Sequence, residues 1–172
     1  MEYSILLNKS PILGQMPVIY DKGEILFFLT GSIDNFNHTI ILSNKFQKEI
    51  GRLYLDNSNL INSYIIDVTH HPIVKIIKLN NQLTNLFYIT KLNYWVKGSI
   101  KKGNYSFYKG LIERANVKTI ITTEGNTLDC NIQKPEDVPF ILLTSILFTQ
   151  WHITPLSLPS FPVFHHKFCV LH

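Results

Sequence analysis

Lys134-Pro135-Glu136-Asp137-Val138-Pro139-Phe140-Ile141-Leu142-Leu143-Thr144-Ser145-Ile146-Leu147-Phe148-Thr149-Gln150-Trp151-His152 is the stretch that decides the fold. It opens as a helix does, with a proline near the first helical position and two acids in the first turn, where the backbone dipole favours negative charge. From Val138 to His152 there is no charged residue. Val138, Phe140, Ile141, Leu142, Leu143, Ile146, Leu147, Phe148 and Trp151 cover the whole circumference rather than one stripe, so the helix is buried on all sides. A sheet wrapped round it satisfies that, and so does a bilayer. A spanning helix needs about 20 apolar residues, and this one offers about 15 before Pro155. Continuing to Phe164 crosses Pro155, Pro159 and Pro162, each of which disrupts a helix interior. The core helix is the favoured reading, and membrane insertion of 138–164 is its alternative.

Upstream the chain reads differently. From Pro17 to Ile132 short apolar segments alternate with turn residues, with no amphipathic helix of useful length, as in an antiparallel sheet or barrel. The expected strands lie near 17–20, 24–31, 38–43, 49–55, 62–69, 72–79, 84–91, 93–100, 104–109, 111–115, 117–122 and 127–133. Turn signals separate them: Asp21-Lys22-Gly23, 34–37, 56–59, Asn80-Asn81, 101–104 and Glu124-Gly125-Asn126. In 127–133, Leu128, Cys130 and Ile132 share one face while Thr127, Asp129, Asn131 and Gln133 share the other, which makes Cys130 a core thiol. The segment 24–31 is apolar on both faces, which implies a cover over the second one.

Composition agrees with this reading. The chain has 172 residues, of which 45% are apolar and 16% charged; the charged share lies below the usual ~25% and argues against a disordered tail protein or a solvated coiled coil. Ala115 is the only alanine, against 23 isoleucines, 11 phenylalanines and 8 tyrosines, so the balance favours strands, although an AT-rich genome writes part of the same bias. Two cysteines outside any CxxC pair make no disulfide framework, so a reducing, cytoplasmic setting is expected. The N-terminus lacks the basic and long apolar regions of an export signal.

This order of elements resembles the tubby C-terminal-like fold, which tubby proteins share with the LURP-one-related proteins and the phospholipid scramblases. The stretches that carry the likeness are Val18-Ile19-Tyr20-Asp21 running into 27–32, Lys48-Glu49-Ile50-Gly51-Arg52-Leu53, Tyr94-Trp95-Val96-Lys97-Gly98 followed by Tyr105-Ser106-Phe107, and Glu136-Asp137 opening the apolar helix. The resemblance covers about residues 12–153 and is to a bacterial-type member. It implies a mainly β, roughly twelve-stranded antiparallel closed barrel threaded by the C-terminal helix. One domain is then expected over 1–153, with the helix near 136–152 and a Pro-rich apolar tail over 154–172 that departs from the family pattern. In the family, tubby proteins bind phosphoinositides and the scramblase relatives are membrane-associated; no phosphoinositide-binding residue transfers to this chain.

Charge supplies the functional reading. Between Lys75 and Lys118 nine cations stand against one acid, Glu113, a net of +8, while the remainder nets −4. Interleaved with Tyr88, Tyr94, Trp95, Tyr105, Phe107 and Tyr108, these lysines suit phosphate groups or an anionic lipid surface, with Lys97, Lys101, Lys102, Lys109 and Arg114 as the candidate contacts. Lysines that guard strand edges against aggregation are the plain structural explanation, and stacked single-stranded nucleic acid is the weakest partner reading. The expected protein is a non-enzymatic, cofactor-free binding or scaffolding module, cytoplasmic and peripheral to an anionic membrane or bound to a protein partner.

Two other classes remain at this stage. A small hydrolase would gather Cys169 or Cys130 with a histidine and Asp67 or Asp129 on the barrel rim, but no nucleophile elbow, phosphate loop or HExxH is present. His165-His166-Lys167-Phe168-Cys169 has no second half-site for zinc, so no metal is expected. Integration of 138–164 into a bilayer is the third class.

Overall fold

Tyr3 and Ile5 point inward and Glu2 outward, and the same two-residue alternation sets the inside of most of the strands that follow. In the computed structural model, which describes residues 1–7, 14–21, 23–31, 39–56, 63–81, 84–122 and 125–150, these strands are β1 (Glu2–Leu6), β2 (Gln15–Tyr20), β3 (Glu24–Thr30), β4 (Ile40–Asn44), β5 (Glu49–Asp56), β6 (Ser63–Val68), β7 (Val74–Asn81), β8 (Thr84–Ile89), β9 (Tyr94–Ser99), β10 (Asn104–Lys109), β11 (Ile112–Thr122) and β12 (Gly125–Ile132). Each pairs antiparallel with its neighbours in sequence. The ring closes where Tyr3 stands opposite Cys130 and Ile5 opposite Leu128. Closure removes the free edges that an open sheet would expose.

The expected and observed strands both number twelve, for partly different reasons. β1 was not among the expected segments, and 111–115 and 117–122 are one continuous strand, β11. Asn116 does not interrupt β11, because its amide donates to the Ser106 hydroxyl on β10 at 2.8 Å and pays its polar cost on the sheet. Thr127 also departs from the alternation: it is buried at 6%, although its phase is that of the outer face.

Helix α1 (Val138–Gln150) runs inside the ring. A 3-10 turn at Pro135–Asp137 leads into it, so the proline and acids of the start signal occupy that turn rather than the first turn of the α-helix. Phe140, Ile141, Leu142, Leu143, Ile146, Leu147 and Phe148 are all at most 1% exposed, each stabilising the fold by about 1.5–3 kcal/mol. Phe148 packs on Phe87 and edge-on to Tyr105, with centroids 4.7 and 5.2 Å apart. Thr144 and Ser145, wholly buried, return their hydroxyl protons to the carbonyls of Phe140 and Ile141 at 2.7 Å; that bond lets polar side chains enter an apolar interior. Gly51 faces the helix, and a Cβ there would lie 3.1 Å from Val68 and 3.5 Å from Leu143, so the bare position lets α1 approach β5 closely.

Membrane insertion of 138–164 is overturned for 138–150, whose apolar surface the strands already cover. No helix of the described residues is long and apolar enough to cross a membrane. Residues 151–164, the 154–172 tail and the turn signals at 34–37 and 57–59 lie outside the described residues.

Candidate anion-binding surface

Strict antiparallel pairing sends successive hairpins to opposite ends of the barrel. The turns β2–β3, β4–β5, β6–β7, β8–β9 and β10–β11 surround the point where α1 enters, here the entry end. The β9–β10 turn belongs to the exit end, toward which α1 runs.

The five candidate residues divide between these ends. Lys97 projects outward from β9, and Lys101 and Lys102 sit on the 3-10 turn Ile100–Lys102 at the exit end, all three exposed. Gly103 closes that turn in the left-handed region at φ 63°. Lys109 and Arg114 flank the β10–β11 hairpin at the entry end, a full strand length away. The register adds a residue that the candidate set left out: Lys118 on β11 lies opposite Asn104, the next outward position along from the Ser106 that faces Lys97. Lys97, Lys101, Lys102 and Lys118 therefore share the outer face of β9–β11 toward the exit end. Only the pairing register joins Lys118 to the others, since 16 residues of chain separate it from Lys102.

The surroundings of these lysines differ from those of the other cations. Lys97 Nζ stands 5.6 Å above the Tyr108 ring, a cation–π contact that holds the ammonium without neutralising it. Tyr108 lies opposite Trp95, and Trp95 opposite Tyr88 with ring centroids 4.8 Å apart, so three aromatics cross the outer face in a row. Tyr108 is oriented by donating its hydroxyl to Glu113 at 3.0 Å, and Tyr88 by donating to Asn93 at 2.7 Å. Lys75, by contrast, is committed to the buried carboxylate of Asp56 at 2.8 Å, which the Ser63 hydroxyl also reaches. A shallow groove of about 230 Å³ adjoins Lys118, lined by Glu2, Ser4, Asn116, Asp129 and Asn131.

Arg114 stands apart from these lysines, at the other end of β11. It is the extra residue of a bulge, since Phe107 pairs with Ala115 and Tyr108 with Glu113. Its Nε is buried without a partner. Its charge acts on the α1 entry, where it favours the ionised forms of Tyr94, Glu136 and Asp137. Burial is the stronger influence on Asp137 and holds its carboxyl above the ordinary carboxylate range.

Nothing brings Cys130 to a rim. It lies inside the barrel at 1% exposure, and burial pushes its thiol up to about 12, with the nearby Ser145 hydroxyl working weakly the other way; a thiol so held is a poor nucleophile. His70 and His71 occupy the β6–β7 turn, with the His71 ring edge-on to Phe140 at 5.4 Å. Among the described residues no three histidines, cysteines or acids gather as a metal site would require. Cys169, His38, His152, His165, His166 and His172 lie outside the described residues.

Comparison with known proteins bears on the fold. An X-ray structure of a protein from Arabidopsis thaliana, itself a LURP-one-type, tubby-like barrel, superposes with a TM-score of 0.58 over 86% of this chain and 88% of that one. The chain has the tubby-like fold. Identity across the superposition is 12%, so the likeness is one of architecture. No protein-family model matches the chain, and no curated protein matches it in sequence. The tubby-like barrel thus rests on the closed twelve-strand ring and its threaded helix.

Proposed function

We propose that this tubby-like barrel is a non-enzymatic binding module that takes phosphate-type anions on the outer face of β9–β11, through Lys97, Lys101, Lys102 and Lys118. The observation that carries the reading is the Lys97–Tyr108 contact. It keeps an exposed ammonium in place while leaving its charge open, because no carboxylate pairs with Lys97 among the described residues. Lysine acts on phosphate as a point charge, and four such charges against two flanking acids, Glu2 and Asp129, make a surface that attracts anions and is screened by salt. Lys109 and Arg114 fall outside this site.

Either a soluble phosphorylated ligand or a phospholipid headgroup presents the chemistry required. Titration of the protein with inositol hexakisphosphate, beside co-sedimentation with phosphatidylserine vesicles, separates the two sources. Reversing Lys97, Lys101, Lys102 and Lys118 to glutamate should abolish salt-sensitive binding of inositol hexakisphosphate. Inositol hexakisphosphate binding that survives the fourfold reversal sinks the proposal.

A further inference from the structure

The entry end carries a second feature. Three of four successive hairpins there place large apolar side chains in water at their tips: Phe46 on β4–β5 at 78% exposure, Ile73 beside β6–β7 at 53%, and Leu111 and Ile112 on β10–β11 at 98% and 60%. The β8–β9 tip between the last two carries Lys91. Neighbouring tips at one end are two strands apart, roughly 10 Å at the usual strand spacing, so the four hairpins line about half of the twelve-strand ring.

Unpaired cations sit among these apolar tips. Lys48, Lys91 and Lys109 are exposed on the same hairpins, and none is paired with a carboxylate among the described residues. The acids nearby are occupied: Glu49 holds Arg52 at 2.7 Å, Glu24 holds Lys45 at 3.0 Å, and Glu113 accepts from Tyr108. Single apolar residues on the surface are ordinary; a half-ring of them on projecting tips, alternating with free ammonium groups, is not. Separate prongs with polar turn backbone between them offer no continuous apolar face to a folded protein or a helix. They suit a fluid interface, in which each tip sinks among acyl chains independently while the lysines remain level with anionic headgroups.

We infer that the entry-end half-ring, Phe46, Ile73, Leu111 and Ile112 with Lys48, Lys91 and Lys109, docks the barrel end-on against an anionic lipid surface. Docked so, the protein holds the Lys97–Lys118 face clear of the bilayer at its side. The inference concerns a different end of the molecule from the proposed anion site and stands or falls separately from it.

The test uses the full chain and vesicles of phosphatidylcholine and phosphatidylserine at roughly 2:1. Phe46→Ser, Ile73→Ser and Leu111→Ser together should weaken co-sedimentation by about tenfold or more while leaving inositol hexakisphosphate binding intact, because burial of these side chains in lipid is what drives docking. Lys48→Glu, Lys91→Glu and Lys109→Glu should remove the salt-sensitive part. Leu111→Trp should show greater quenching by brominated acyl chains than the wild-type protein does. All seven positions lie on exposed turns or strand ends, and a circular dichroism spectrum matching wild type certifies each variant as folded. Three outcomes overturn the inference: no vesicle binding by the wild type, loss of vesicle binding with the Lys97–Lys118 reversal but not with the tip variants, or tip variants that convert a dimer to a monomer without changing vesicle binding. The last would assign the tips to a second copy of this chain.

Discussion

The Tyr94 hydroxyl donates to Asp137 Oδ1 at 2.7 Å, joining β9 to the residue that precedes α1 across 43 positions of sequence. Both groups are buried, and Asp137 Oδ2 has no partner. This bond fastens the helix entry to the wall of the barrel.

Removing the donor should therefore cost more than an average hydrogen bond. Tyr94→Phe leaves a buried carboxyl with no partner at either oxygen, a loss of about 1–3 kcal/mol, measurable as a lower urea midpoint at unchanged slope. A midpoint equal to wild type would mean that the bond contributes nothing.

Asp137 also predicts a pH dependence. Burial raises its folded pKa above the unfolded value of 3.8, so over the window just above that value the folded state holds the proton more tightly than the unfolded state. Stability contributed by the protonated carboxyl is complete below the unfolded pKa and is lost as pH rises through the folded one. Asp137→Asn should flatten this part of the stability profile; an unchanged profile would assign the titration to another group.

At alkaline pH four interior groups act in the same direction. Burial pushes the Tyr64 hydroxyl and the Cys130 thiol up to about 12 and raises Tyr94 and Tyr105 further. Unfolded, they ionise near 10.0 for tyrosine and 9.0 for cysteine, so stability should decline steadily once pH exceeds about 9. Tyr64→Phe, which removes a buried hydroxyl that has no partner, should reduce that decline and cost nothing at neutral pH.

Gly98 faces Tyr105 at φ 127°, and a Cβ there would sit 2.6 Å from the Asn104 carbonyl oxygen. Gly98→Ala should destabilise by about 1–3 kcal/mol through backbone strain alone, with a further loss from the clash. If thermal denaturation finds it neutral, the strand end adjusts freely.

The helix threading can be tested by accessibility. In a chain carrying Cys169→Ser, Leu143→Cys should resist a thiol reagent until the protein unfolds, as should Cys130 itself, because both positions are inside the ring. Reaction in the folded state would break the barrel architecture.

Several of these features are legible without a structure, since they depend on local periodicity. Leu128, Cys130 and Ile132 announce their inward face by alternation, and the charge-free circumference of 138–150 announces a helix surrounded by protein or lipid. β1 escaped because a strand of five residues, Glu2–Leu6, leaves only Tyr3 and Ile5 as inward signals. Arg114 looked like an anion contact because it stands in a run of cations, yet the bulge that turns it toward Asp137 appears only when β10 and β11 are set in register.

By itself the sequence determined the central helix, most of the strands and, where alternation is clean, the residues they bury, because a period of two or a fully apolar helix is written in neighbouring positions. It also determined the basic excess of 75–118. The tertiary structure decided how that charge is distributed: pairing register places Lys118 beside Lys97 and Lys102 and sends Lys109 to the opposite end, and closure of β1 on β12 turns an apolar helix into a core rather than a membrane span. Pairing between distant strands is a choice among global arrangements, each consistent with the same local pattern, and only the burial of one particular helix inside one particular ring selects among them.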